Sequence, residues 1–286
     1  MAPIPPFPPD FVADLRALRR RPELADSLWR SPDLVELTYG RLWSLVAEVL
    51  PPAPARILDV GCGTGVLSLE LARAGHDVTA VDADRTAIDL AERGAPSGGP
   101  GRVTYHHADV HDWAADEGAF DVVVTTRTLH HVAEPAAALE RVRRWLRPGG
   151  LLVCVDFLHD RFDRRAARWL AQVRGLLEAT GSFDPDGRLP TDPDAALDRI
   201  EWEWEQDHVV DHPLNGADDI EEPLGRQFRT ERRSWHPYLY WDVLVGLDLD
   251  DARAEKATAR LVAAWEATLL AADELPSVLL RFVGSR

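Results

Sequence analysis

The sequence predicts an α/β protein built on a mostly parallel, doubly wound sheet with helices on both faces. Three observations predict it. Between Arg56 and Phe157, short apolar runs alternate with helical patterns. Those runs are nearly continuous in valine, leucine and isoleucine, as strands buried on both faces require. A glycine-rich turn, Gly61-Cys62-Gly63-Thr64-Gly65, joins the first run to the first of these helices.

Two helical patterns come first, about Asp10–Arg20 and Ser31–Val49; in the second, Leu34, Leu37, Leu42, Leu45 and Val49 recur at helical spacing. Pro51, Pro52 and Pro54 break the chain. The strands expected next are Arg56–Val60, Asp77–Val81, Val103–His106, Phe120–Thr125 and Leu151–Phe157, with helices at Val66–Ala74, Asp84–Arg93 and Pro135–Leu146. Gly75 suits a helix C-terminus, Pro135 a first helical turn, and Pro148-Gly149-Gly150 a stop before the next strand. Beyond Phe157 the pattern loosens. Arg161–Ala179 and Pro193–Glu205 read as helices joined by the turn-rich Gly181–Gly187, and Asp207–Arg226 reads as a polar loop. Ser234–Gly246 alternates as a strand, with Pro237 near its start or at a sheet edge. A helix at Asp250–Ala272 and a strand at Ser277–Val283 close the series. The expected organisation is an N-terminal helical lid (1–50), a cofactor-binding core (51–160), a helical insertion or substrate cap (161–233) and a C-terminal part (234–286) completing the sheet.

At 286 residues and 45% hydrophobic, the chain can bury a full core. Its net charge is −16, which disfavours nucleic acid as a partner. Arg141, Arg143, Arg144 and Arg147 cluster, but on a helix read as a solvated face. Cys62 and Cys154 form no disulfide framework, so a cytoplasmic location is expected. No signal peptide or membrane span is read.

Glycines serve where a backbone turns tightly and a ligand must come close, and the helix that follows offers unpaired N–H groups. Asp82 ends the next strand, where a carboxylate can accept ribose hydroxyls, and Asp109 follows the third strand. Val66 stands where a dinucleotide fingerprint wants glycine or alanine, which argues against a nicotinamide oxidoreductase.

The run Leu58-Asp59-Val60-Gly61-Cys62-Gly63-Thr64-Gly65 resembles the first motif of class I S-adenosylmethionine-dependent methyltransferases. Val81-Asp82 resembles their second motif and Ala108-Asp109-Val110 their adenine-contacting motif. Phe120–Val124 and Leu146–Gly150 are similar to the family's fourth strand and the turn before its fifth. The resemblance spans about Ala53–Phe157. It implies a Rossmann-like, seven-stranded sheet whose last strand is antiparallel, with S-adenosyl-L-methionine as cofactor. Carried over, it implies Asp59, Gly61, Cys62, Gly63 and Gly65 around the methionine moiety, Asp82 with Ala83 on ribose, and Asp109 with Val110 by adenine. Arg127 and a lid residue, Tyr39, complete the expected cofactor set.

Thr125–His131 follows the fourth strand and is expected to border the transferable methyl. It lacks the Asn/Asp-Pro-Pro-Tyr type motif of nucleic-acid amino-methyltransferases. His131 and His130 are candidate general bases for a hydroxyl acceptor, with pocket lining as the plainer alternative. Trp235, Tyr238, Tyr240 and Trp241, beside Trp202 and Trp204, are candidates for a substrate pocket, with core packing as theirs. His208 and His212 could share a metal only on a helix, which Pro213 and Gly216 disfavour; no metal is expected. The expected function is methyl transfer to an O, N or C atom of a small, aromatic metabolite, as in biosynthesis. Homodimerisation is compatible with it. Two alternatives keep the cofactor: a non-methylating cyclase or decarboxylase, and a non-catalytic subunit supporting a partner.

Overall fold

The structure is a computed structural model, and it describes residues 31–94, 99–183, 188–210, 214–249 and 251–286. The helix expected at Asp10–Arg20, and His212 with Pro213, lie outside the described residues. The chain divides into two compact units.

The larger unit comprises Leu42–Leu158, Asn215–Trp235 and Leu279–Arg286. Its elements are β1 (Arg56–Val60), α2 (Val66–Arg73), β2 (Asp77–Asp82), α3 (Arg85–Gly94), β3 (Arg102–His107), β4 (Phe120–Thr126), α4 (Pro135–Trp145), β5 (Leu146–Phe157), α7 (Ala217–Gln227), β6 (Arg229–His236) and β7 (Leu279–Ser285). The seven strands form one sheet in the order β3-β2-β1-β4-β5-β7-β6. β1 to β5 pair in parallel, and β7 runs antiparallel to β5, from Leu151↔Ser285 to Phe157↔Leu279. The order reverses at β1/β4, so ligands belong beyond the carboxyl ends of these strands.

Burial explains the strands' composition. Leu58, Val123, Leu152, Cys154, Leu280 and Phe282 face one core, shared with Leu139, Val142 and Trp145 of α4 and with Ile220 and Leu224 of α7. At the amino edge, Asp121 accepts from Arg56 (N, Nε and Nη2) and from Arg147 Nε, which holds its carboxyl well below the usual range.

The smaller unit holds residues up to Arg41 with His159–Leu214 and His236–Val278. It contains the start of α1 (Pro32–Ala47), α5 (Arg164–Ala179), α6 (Pro193–Glu205), a π-turn at Gln206–Val210, α8 (Tyr240–Val245) and α9 (Ala252–Ala271). Asp163 and Asp192 cap α5 and α6 by accepting their first N–H groups. Arg174 ties the two helices by bonding Glu178 and Glu203.

The expected strand at Ser234–Gly246 is instead the end of β6 and then the helix α8. The buried Glu266 carboxylate of α9 accepts N–H from Tyr238, Leu239 and Tyr240 at 2.7, 2.9 and 2.7 Å. A distant side chain thus supplies the cap that turns these residues into a helix start. Asp207–Arg226 is not a polar loop: it holds the π-turn and most of α7. Asp219 accepts from Gly216 N at 3.1 Å, and Ile220 and Leu224 bury the helix's apolar edge. The arginines of α4 are not simply solvated. Arg141 donates Nε to Val110 O at 3.0 Å and Nη2 to Trp113 O at 2.5 Å, and Arg143 donates to Gln227 O. β5 starts at Leu146, with a register shift between Leu146 and Leu151 that accommodates Pro148-Gly149-Gly150.

Candidate functional site

β1 delivers the chain to the glycine turn, and Gly61, Gly63 and Gly65 all take positive φ, at 71°, 52° and 78°. Their reasons differ. A Cβ on Gly61 would lie 2.2 Å from Thr128 Cγ2, and one on Gly65 would lie 2.6 Å from Tyr105 Oη. A Cβ on Gly63 would meet nothing within 4 Å. Gly61 and Gly65 are therefore small because the protein packs against them, whereas Gly63 opens onto space a ligand can fill.

Acidic side chains surround that opening. Asp82 accepts Gly63 N at 2.6 Å and Asp84 N at 2.8 Å, tying the end of β2 to the turn with lone pairs to spare for ribose hydroxyls. Asp59 is fully buried: Oδ2 accepts from Ser68 Oγ at 2.5 Å, and Oδ1 has no partner. Burial pushes its carboxyl from 3.8 up to about 7. An orphaned, buried carboxylate oxygen on the strand that leads into the glycine turn suits a cation, and S-adenosylmethionine carries two, an ammonium and a sulfonium. Cys62 lines the turn as a buried thiol, and burial raises its pKa beyond reach.

The loop after β3 is braced rather than loose. Asp109 accepts His111 N at 2.8 Å, while its carbonyl accepts Asp112 N and Trp113 N. His107 Nε2 meets Ala83 O at 3.1 Å, and His111 Nε2 meets Ala133 O at 2.6 Å. With Arg141 on Val110 O, both histidines act as struts that set Ala83, Asp109 and Val110 at adjoining strand ends.

After β4, Arg127 takes φ +54°, uncommon for a side-chain-bearing residue, and donates N–H to Val155 O at 2.8 Å. The chain then makes a short turn, Leu129–His131, that separates the two histidines. His131 is exposed. His130 is buried, its Nδ1 2.5 Å from Asp156 Oδ1. Asp156, also buried, accepts Leu129 N at 2.7 Å, Phe157 N at 2.8 Å and Thr128 N at 3.3 Å. Asn215 Nδ2 holds the other side, donating to the carbonyls of Leu129 and Val132. Sequence reasoning missed Asp156 and Asn215. Asp156 had a legible signal, an acidic residue ending an apolar strand as Asp59 and Asp82 do.

The aromatic candidates separate. Tyr39, Tyr238, Tyr240 and Trp241 gather in the smaller unit: Trp241 lies edge-on to Tyr39 at 5.4 Å and stacks on Tyr238 at 5.5 Å, and Tyr240 Oη donates to Leu37 O at 2.7 Å. Trp235 belongs to the larger unit, on β6 against that unit's core, with Arg233 over its ring. Among the described residues, no group of three His, Cys, Asp or Glu could hold a metal, and no helix is long and apolar enough to cross a membrane.

Comparison with known proteins fits this geometry. A family model described as "Methyltransferase domain" matches residues 35–187, just over half of the chain. The chain is 42% identical over 105 residues to a ubiquinone biosynthesis O-methyltransferase of Cereibacter sphaeroides, covering 37% of this chain and 42% of that protein. It is 39% identical over 144 residues to the Aromatoleum aromaticum protein of the same name (48% and 60% covered). It is 34% identical over 137 residues to a demethylmenaquinone methyltransferase of Clavibacter sepedonicus (47% and 55% covered). The matches thus span about half the length of these curated relatives. Among solved structures, a putative sarcosine dimethylglycine methyltransferase from Galdieria sulphuraria shares the fold at TM-score 0.53 and 13% identity, covering 86% of this chain and 85% of that one. An S-adenosylmethionine-dependent methyltransferase from Mesorhizobium loti does so at 0.50 and 18%, covering 85% and 96%. With the sheet order, the open glycine turn and the acidic strand ends, these matches establish that the chain belongs to the class I S-adenosylmethionine-dependent methyltransferase family.

Proposed function

We propose that this protein transfers the methyl group of S-adenosylmethionine to a hydroxyl oxygen of a small aromatic metabolite. One observation carries the choice of oxygen: the buried contact between His130 Nδ1 and Asp156. With Nδ1 engaged by Asp156, Nε2 is the ring nitrogen left to take a proton from a hydroxyl. The names of the two O-methyltransferase relatives support the same acceptor chemistry.

The cofactor brings an activated methyl group, so the protein's tasks are to bind, orient and exclude water. Asp59 and the Gly61–Gly65 turn receive the methionine end, Asp82 with Ala83 the ribose, and Asp109 with Val110 the adenine. Arg127, held in its unusual conformation, shapes the wall after β4. Tyr39 as a lid residue, Tyr238, Tyr240 and Trp241 as acceptor-pocket residues, and the segments 1–50 and 161–233 as lid and cap remain part of this reading. His131, being exposed, lines the approach and leaves the base role to His130. A cytoplasmic, biosynthetic enzyme without a nucleic-acid partner, alone or as a homodimer, is the setting this reading supports.

Incubation with a catechol and S-adenosylmethionine tests the proposal, through equal amounts of S-adenosylhomocysteine and methyl ether. Asp82→Ala should weaken cofactor binding by about 1–3 kcal/mol, the value of charge-assisted hydrogen bonds. Cofactor binding without S-adenosylhomocysteine formation across a panel of hydroxyl acceptors would instead favour a non-methylating enzyme or a supporting subunit.

A further inference from the structure

β7 carries an arginine in the body of the sheet. Leu280 and Phe282 point into the core shared with α4 and α7, so Arg281 points to the opposite face. It is 2% exposed. Its Nη1 meets Glu48 Oε2 at 2.7 Å, while Glu48 Oε1 is taken by Arg232 at 2.5 Å. Arg281 Nε and Nη2 are buried and without a hydrogen-bond partner. These two form the side-on edge of a guanidinium, the edge that grips a carboxylate with two parallel bonds. A buried guanidinium with that edge unmet is costly, so a native structure retains it where something supplies the acceptor.

Position says what kind of ligand. Arg281 pairs with Val155, which pairs with Thr126, one step beyond the Val60↔Thr125 pair. Arg281 therefore stands in the row where β1 passes into the glycine turn, at the carboxyl edge where open α/β sheets bind ligands. Three strand spacings, roughly 14 Å, separate it from β1. That is too far to serve the methionine carboxylate of a cofactor seated at the turn, but suits the far end of an acceptor molecule.

We propose that Arg281 is a specificity-determining residue that binds a carboxylate on the methyl acceptor through Nε and Nη2. The proposal rests on the methyl-transfer reading and adds that the acceptor is a hydroxylated aromatic acid. Glu48 and Arg232 are positioning residues, holding the guanidinium by Nη1 so that its side-on edge stays free.

The test uses the full chain with S-adenosylhomocysteine bound. Binding of 3,4-dihydroxybenzoate, its methyl ester and inorganic phosphate is measured by calorimetry for wild type, Arg281→Met and Arg281→Lys; methylation by wild type is measured separately. Wild type should bind the acid at least tenfold more tightly than the ester. Arg281→Met should lose about 10- to 100-fold for the acid, the loss of one charge-assisted contact pair, with S-adenosylhomocysteine binding unchanged as proof of folding. Arg281→Lys, which keeps the charge without the fork, should fall between. Equal binding of acid and ester by wild type, no binding of the acid, or an acid affinity untouched in Arg281→Met overturns the assignment. Arg281-dependent binding of phosphate but not of the acid also overturns it, since the site would then take a free anion. Arg281-dependent acid binding with no methylation leaves this assignment standing and removes the methyl-transfer reading instead.

Discussion

Replacing Asp59 with asparagine tests whether the glycine turn is built to receive a positive charge. Asp59 is fully buried, one oxygen on Ser68 and the other on nothing, with its carboxyl raised from 3.8 to about 7. That rise of about three pH units makes the ionised form roughly 4 kcal/mol worse than the protonated form inside the fold. The folded value lies above the unfolded one, so this stabilisation is complete below about pH 4 and is lost as pH climbs to about 7. Asparagine keeps an acceptor for Ser68 and cannot ionise. Between pH 5 and pH 7 the variant should therefore gain about 2 kcal/mol of unfolding free energy relative to wild type. Glu266, also raised to about 7, tilts both proteins equally and cancels in the difference. Urea denaturation at the two pH values measures it. In parallel, wild-type affinity for S-adenosylmethionine should rise with pH across this window as the carboxylate ionises, and the variant's should stay flat. A stability difference independent of pH, with parallel binding curves, refutes the reasoning.

Three further outcomes are expected. Gly61→Ala drives a methyl into Thr128 and forces an alanine to φ 71°, so cofactor binding should fall at least tenfold; adding Thr128→Ala removes the Cγ2 and Oγ1 contacts but not the close approach of Cβ or the dihedral cost of about 1–2 kcal/mol, giving partial recovery by calorimetry. Asp156→Ala strands three backbone N–H groups and His130 Nδ1, and should cost about 3 kcal/mol or more by chemical denaturation. His130→Ala should cost less, and the double variant should be less damaged than the two single losses summed. Glu266→Gln removes a buried carboxylate whose folded pKa exceeds 4.5, so the loss of wild-type stability between pH 5 and pH 7 should shrink by roughly half, the remainder being Asp59. An unchanged slope would show that Glu266 keeps its charge throughout.

Much of the larger unit was legible because its signals are local. The runs at β1, β2, β4 and β5 need only apolar residues in sequence, and the glycine turn needs only its neighbours. The failures share a different cause. α8 is six residues long and owes its start to Glu266, 26 residues from Tyr240, so alternation between Tyr238 and Trp241 pointed to a strand. α7 is dense in Asp218, Asp219, Glu221 and Glu222, and only Ile220 and Leu224 show its buried edge. Arg141 looked like one more surface charge because nothing local announces two carbonyls 28 and 31 residues away. His130 and His131 could not be ranked as neighbours in sequence; the turn at Leu129–His131 and Asp156 on β5 separate them.

The place of β7 has a consequence for how the chain is made. β5 ends at Phe157, yet the strand that covers its open side begins at Leu279 and also carries the link to β6. A ribosome adding roughly 5–20 residues per second leaves that edge bare for on the order of ten seconds. During this interval Leu151–Phe157 is an apolar template ready to pair with any extended segment nearby. A holding chaperone should therefore raise the yield of native protein. A free peptide copying Leu279–Ser285, added during translation, should compete for the same vacancy and lower it.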